Sequence, residues 1–252
     1  MNQHFNSTRF GRLVRKHTAE YFTSYGLGAA VLLGGMLAVM SFLSYVQGGG
    51  LSQAQQVLLF MFFVWGAGAF FTSTMLAQFG EGSRAALALT LPASQFEKYL
   101  LAWLFSLPIF LLVFTAEFYL ADWLVLSLNG GTSAVINLVA NAEQLLDALA
   151  TLLVLHGVAL WGSIYYRRQQ FIRTGFLGFG VVMGGFVLNY QVIKALIGKQ
   201  VLMATPFGVV QLPDYLRLTL PERQDQWFGL LPLVLAGLLW LAAYARLTEK
   251  QL

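Results

Sequence analysis

The chain has 252 residues, of which 58% are hydrophobic and only 10% are charged, whereas an ordinary soluble domain carries roughly 25% charged residues. So few charges exclude an ordinary water-soluble globule and predict a protein whose main solvent is lipid. Cysteine is absent, which excludes disulfides, thiolate metal sites and cysteine nucleophiles.

The first 25 residues precede the first long apolar run and carry an apolar stripe at helical spacing. The stripe consists of Phe10, Leu13, Val14, His17 and Tyr21. The basic residues Arg9, Arg12, Arg15 and Lys16 lie largely beside it. This pattern predicts an amphipathic helix over 1–25 that lies along the inner membrane surface, with its arginines at the lipid phosphates. The alternative is a solvated basic tail.

Six stretches are long and apolar enough to cross a membrane as helices. They lie at about 26–46, 57–79, 99–120, 145–166, 175–193 and 227–245. The predicted fold is therefore an all-α membrane protein, in which 26–252 form one domain of six transmembrane helices.

The distribution of Lys and Arg predicts the orientation. Of the 15 basic residues, 11 fall on the side that holds the termini and four on the other side. This asymmetry predicts both termini in the cytoplasm, and the expected location is a bacterial cytoplasmic (inner) membrane. The high isoelectric point of about 9.4 then follows from topology, and no nucleic-acid partner is expected.

The cytoplasmic segment between spans two and three contains signals for a helix, a corner and a second helix. Ser83 can cap a short helix over 82–91, and Pro92 ends it. Ser94 and Glu97 form an S-x-x-E capping box that starts the third span. The alternative interpretation is an ordered loop with no further role.

The external segment over 198–226 is unusually apolar for a loop, and it is interrupted by Pro206, Pro213 and Pro221. A fully solvated loop would have no need of apolar residues such as Val201 and Leu212. The pattern predicts short helices before span six that dip back into the outer leaflet or lie on the membrane surface.

A few polar residues within the spans are candidate membrane contacts. Glu117 and Lys194 both fall close to the outer boundary, where they pair or reach water. His156 falls near mid-membrane, where a hydrogen-bonded packing role is favoured over a substrate contact. Asn189 is the fourth member of this group.

Motifs for chemistry are missing from the sequence. There is no H-E-x-x-H, no G-x-S-x-G and no G-x-x-x-x-G-K-[ST], so neither an enzyme nor an ATPase is predicted, and no metal site is expected. Gly180 and Gly184 form a G-x-x-x-G, for which packing inside one bundle is favoured over a subunit interface.

Around the start of span three, the sequence ALTLPASQFEKYLLAWL resembles the membrane subunit of ABC exporters of the ABC-2 type, whose six-span architecture is also similar to the one predicted here. The resemblance implies a permease paired with a second membrane subunit and with ATP-binding cassette subunits that hold ATP and Mg²⁺; this chain itself binds no cofactor. It also implies that a short coupling helix over 82–91 passes the motion of the ATPase to the spans. The implied contacts to the ATPase are Arg84, Leu87, Leu89, Leu91 and Glu97.

Such permeases export lipids, saccharides, peptides or drug-like molecules, and the sequence does not choose among them. Two rival functions remain open. One is a non-transporting scaffold or sensor subunit of a membrane complex. The other is an ion-coupled transporter, which would require acidic groups near mid-membrane.

Overall fold

The computed structural model describes residues 5–77, 93–128, 134–166, 168–197, 201–205, 210–213, 217–218 and 229–249. Helices dominate these residues. They are α1 (Ser7–Gln47), α2 (Gln53–Met75), α3 (Gln95–Leu104), α4 (Phe110–Leu128), α5 (Ala142–Tyr165), α6 (Gln170–Ile197) and α7 (Leu231–Glu249). A π-helical turn, Phe105–Ile109, joins α3 to α4.

Six helical units in the described part of the chain are long and apolar enough to cross a membrane, counting α3, the π-helical turn and α4 as one. The all-α class and the six spans of the sequence prediction are thereby confirmed. The chain is a multi-pass membrane protein.

Helix α1 is longer than a membrane requires. It runs unbroken for 41 residues, from the Asn6 cap, whose side chain accepts the N–H groups of Thr8 and Arg9, to Gly48. Gly48 has φ 68°, a left-handed conformation that favours glycine at a helix end. At 1.5 Å per residue α1 is about 62 Å long, twice the ~30 Å hydrocarbon core. The sequence predicted a boundary near residue 25 between the amphipathic helix and the first span, but the helical backbone of α1 continues through it.

The apolar stripe of α1 faces protein. Near its N-terminus Phe10, Leu13 and Val14 pack against a buried cluster that includes Leu101 and Leu247. Towards its C-terminus Met36 and Met40 are fully buried in a second cluster. The stripe of the predicted amphipathic helix thus contacts protein at these residues, because α1 is continuous and the face that meets the bundle in the span also meets it nearer the N-terminus. The position of this helix along the membrane surface stays a prediction. Arg12 and Arg15 are exposed, and their position at lipid phosphates stays a prediction.

Helix α5 lies at the centre of the bundle and packs against α2, α6 and α7, while α1 packs mainly against α4. Close approach of α7 to α5 depends on Gly157, where an added Cβ would lie 2.9 Å from Leu239 Cβ. Phe60 of α2 packs edge-to-face on Phe114 and Phe118 of α4, with ring centroids 5.2 and 5.1 Å apart. These contacts form the larger of the two clusters.

The described residues of the segment over 198–226, which was predicted to be external, contain strands where helices were predicted. Three two-residue strands, β1 (Met203–Ala204), β2 (Val210–Gln211) and β3 (Arg217–Leu218), pair antiparallel in the order β1-β2-β3. The prediction of helices is wrong for these residues. Pro206 and Pro213 lie between the strands in the sequence, and a proline interrupts the hydrogen bonds of a helix.

The burial expected of this segment is nevertheless present. Val201, Ala204 and Leu212 are buried, and they pack against Tyr190 and its neighbours near the C-terminal end of α6. Protein, rather than lipid, covers these apolar side chains.

Orientation can be tested by single cysteine substitutions, since the chain has no cysteine of its own. Val139 in the connection between α4 and α5 is 86% exposed, and the Glu249 side chain at the end of α7 is 58% exposed. We expect an impermeant maleimide to label Val139→Cys in intact cells and to label Glu249→Cys only after permeabilisation. The reverse pattern would invert the topology.

Candidate functional site

A charged joint connects the start of α1 to the start of α3. Glu97 is fully buried, and Arg9 donates to both of its oxygens, from Nε to Oε2 and from a terminal nitrogen to Oε1, each at 2.7 Å. The Asn6 backbone N–H donates to Oε1 at 2.9 Å. The Ser94 backbone N–H donates to Oε2 at 3.0 Å, which completes the predicted capping box. Four donors thus satisfy one buried carboxylate.

The joint changes the expected role of Glu97. The resemblance places this residue among the contacts to an ATPase, but a side chain with no exposed surface that is clamped by Arg9 is not presented to an external partner. The residues at 82–91 that carry the other implied contacts, Arg84, Leu87, Leu89 and Leu91, lie outside the described residues. In the sequence, the segment 82–91 is followed within a few residues by Ala93, which is buried, and by the charged joint.

His156 forms the centre of a hydrogen-bond chain across three helical elements. The Trp240 indole N–H of α7 donates to His156 Nδ1 at 2.9 Å. Because an indole N–H can only donate, Nδ1 is the acceptor and Nε2 carries the proton. Nε2 then donates to Ser106 Oγ, 2.8 Å away in the π-helical turn. Ser106 Oγ donates in turn to the Ala102 carbonyl at 2.6 Å.

This chain of bonds uses both ring nitrogens of a residue that is 1% exposed. The Trp103 ring stands edge-on to Trp240, with ring centroids 5.6 Å apart. The geometry agrees with the packing role that was favoured for His156, because no ring nitrogen is left for a substrate.

Asn189 and Lys194 do not form a polar site within the membrane. Asn189 Nδ2 donates to the Ala204 carbonyl at 3.2 Å, and the neighbouring Tyr190 hydroxyl donates to the Val201 carbonyl at 3.1 Å. The hydrogen bond from Asn189 therefore attaches β1 to α6. Lys194 is exposed, and in the described part of the chain it forms no ion pair with Glu117.

The glycines of the G-x-x-x-G motif are not used for packing inside the described bundle. A Cβ added at Gly180 or Gly184 would have no neighbouring atom within 4 Å. Most large side chains of α6, such as Phe179, Val181 and Leu188, are exposed. The expectation of internal packing for this motif is thus corrected: the face that carries it points away from the other described helices.

A long apolar cleft separates the middle of α1 from α2 and α4. Its volume is about 840 Å³. Along α1 its lining residues run from 17 to 32, a length of about 22 Å at 1.5 Å per residue. The cleft lies between the charged joint with its apolar cluster at one end and Met36 and Met40 at the other. Along the cleft α1 still contacts the bundle through His17 and Tyr25, whose ring centroids lie 4.8 and 6.0 Å from that of the Phe105 ring.

The lining of the cleft is mostly apolar, and its polar side chains include Thr18, Ser24 and Thr74. At the α1 N-terminal end, His17 Nε2 and the Tyr25 hydroxyl form a hydrogen bond at 2.6 Å. Farther along is Glu117, on the same face of α4 as Phe110, Val113 and Phe114. Its Oε2 is buried and has no hydrogen-bond partner among the described residues.

No family model, curated protein or solved structure matches this chain. The described residues also contain no group of three or more His, Asp or Glu side chains positioned to hold a metal ion. The function is therefore argued from the joint, the cleft and the spans.

Three residues that build these features were not singled out from the sequence as site residues. Arg9 was counted only among basic residues near the membrane surface, while Ser106 and Trp240 were not identified. A signal for Trp240 existed, because an indole N–H within an apolar span needs an acceptor and His156 is the nearby candidate. No comparable local signal pairs Arg9 with Glu97, which are 88 residues apart.

Proposed function

We propose that this protein is the permease subunit of an ATP-driven exporter of the ABC-2 type, working with a separate ATP-binding cassette subunit. The six spans and the sequence ALTLPASQFEKYLLAWL with its Ser94–Glu97 capping box support the proposal. The substrate class within this function is lipidic, peptide, drug-like or saccharide.

The observation that carries the proposal is the charged joint. A force that enters at 82–91 meets the joint immediately afterwards, because Ser94 and Glu97 begin α3 and Glu97 is clamped to Arg9 of α1. Displacement of this corner is therefore passed to two spans together. The N-terminal half of α1 and the whole of α3 would therefore move together, one on each side of the cleft.

A second membrane subunit is part of the proposal. In the single chain α6 exposes a nearly continuous apolar surface with the open glycine pair Gly180 and Gly184. Small residues at such spacing let two membrane helices approach closely. A second copy of this chain or a homologous permease is the proposed partner of that face.

The proposed function is tested by purification in mild detergent without stripping bound proteins, followed by an ATPase assay. We expect an ATP-binding subunit to co-purify in stoichiometric amount, and we expect Arg84→Glu to reduce its recovery. Arg173→Glu serves as the charge-matched control, because Arg173 lies near the start of α6, outside 82–91. Recovery of the chain with no ATPase, under conditions that keep its other partners bound, would contradict the proposal and favour the scaffold or sensor.

A further inference from the structure

We propose that the cleft between α1, α2 and α4 is a binding site for an organic cation with an apolar body of drug size, whose charge is held by Glu117. This inference concerns binding to the chain and does not depend on ATP-driven export.

The size and lining of the cleft fit such a ligand. Sites for drug-sized molecules enclose roughly 300–1,000 Å³ and combine apolar walls with a few polar groups, and this cleft has a volume of about 840 Å³. Its walls are largely aliphatic and aromatic. The aromatic contributors from α2, the π-helical turn and α4 are Phe70, Phe71, Phe105, Phe110 and Phe114.

The charge of the ligand follows from Glu117. A carboxyl oxygen that is buried in apolar surroundings without a hydrogen-bond donor is costly. An ionisable residue within a membrane span is by default evidence for a functional site. Glu117 lines the cleft, and no described residue donates to its carboxylate or forms an ion pair with it, so a cationic ligand beside the carboxylate supplies the missing positive charge. An anion would be repelled, and a neutral alkyl chain would leave the carboxylate without a partner.

An exposed aromatic ring strengthens the same preference. Phe70 lines the cleft from α2 and is 57% exposed. Ring faces attract cations, most strongly where water is excluded. Phe110 and Phe114 share the Glu117 face of α4 but are buried in the protein, so they shape the wall of the cleft.

Tetraphenylphosphonium and tetraphenylborate test the proposal, since they have nearly the same shape and opposite charge. Each radiolabelled ion is titrated onto the full chain in phosphatidylcholine nanodiscs, and binding to empty nanodiscs is subtracted. We expect saturable binding of the cation and none of the anion. Glu117→Gln is expected to weaken cation binding by about tenfold or more, because a charge-assisted contact is lost. Glu249→Gln, which removes an exposed carboxylate far from the cleft, should leave binding unchanged.

A second pair of variants tests the location without touching a charge. Gly28 lines the cleft, whereas Gly26 does not, and an added Cβ meets no atom within 4 Å at either position. Gly28→Leu is expected to abolish cation binding and Gly26→Leu to leave it intact, with both variants monodisperse in size-exclusion chromatography. The proposal is overturned if the wild type does not bind the cation, if Glu117→Gln binds it as the wild type does, or if the two glycine variants behave alike.

Discussion

Removing Arg9 is expected to destabilise the protein more than removing Glu97, although the two residues form one ion pair. Arg9→Ala leaves the fully buried Glu97 carboxylate without its cation, and an uncompensated buried charge is the costliest outcome. Glu97→Ala instead leaves Arg9 with a side chain that is 29% exposed, so water can solvate its guanidinium. We expect Glu97→Ala to lower the free energy of unfolding by about 2–4 kcal/mol, from the lost charge-assisted hydrogen bonds and helix cap.

The diagnostic result is a rescue. Since the cost of Arg9→Ala arises from the charge left on Glu97, adding Glu97→Gln should restore part of the lost thermal stability. Thermal unfolding in detergent provides the measurement. Glu249→Ala is the control, because the Arg246–Glu249 pair is exposed on both sides and exposed pairs contribute little. A double variant less stable than Arg9→Ala alone would show that the carboxylate is not the source of the cost.

Loss of the His156 side chain is expected to loosen the contact between α3, α5 and α7. His156→Ala removes a buried ring that accepts from Trp240 and donates to Ser106. The variant combines a cavity with an unpaired buried indole N–H, and we expect it to lower the free energy of unfolding by about 2–4 kcal/mol. Intrinsic tryptophan fluorescence should change as well, because Trp240 loses its acceptor.

A matched pair of serines separates this network from general packing. Ser106 and Ser163 are both buried. Among the described residues the Ser163 hydroxyl bonds to the Leu160 carbonyl of its own helix, whereas Ser106 bonds across to His156. Ser106→Ala is expected to cost about 1 kcal/mol, the usual scale of a hydrogen bond between membrane helices. Ser163→Ala should cost less than about 0.5 kcal/mol. Equal melting temperatures for the two variants would count against the network.

The composition and local patterns of the sequence determined the six spans and the start of the third. Spans depend on length and apolar content, both of which are properties of a continuous stretch. The Ser94–Glu97 cap is equally local, since both partners lie within one helical turn. The burial of Val201 and Leu212 also followed from their apolar character, but their strands did not, because burial does not distinguish a strand from a helix over so few residues.

Only the tertiary structure decided what the stripe of α1 contacts. Lipid and the protein interior are both apolar, so the spacing of Phe10, Leu13 and Val14 predicts an apolar neighbour without identifying it. The half-buried positions continue through Tyr25, Ala29 and Leu32 to Met36, along one face of a single helix. That continuity placed the stripe against protein.

The joint and the cleft likewise depend on how distant helices are arranged. Arg9 meets Glu97 only because α1 extends below the span to the level at which α3 begins, and no periodicity within either helix encodes that height. The cleft exists because α1 packs closely against the bundle near its two ends, whereas between them contact is made through ring side chains such as Tyr25, which reaches Phe71 and Phe105. Helix formation is determined by neighbours three and four residues away, whereas a cavity is determined by the separation of helices. The sequence therefore identified Glu117 as a polar residue within a span, and only the fold showed the space beside it.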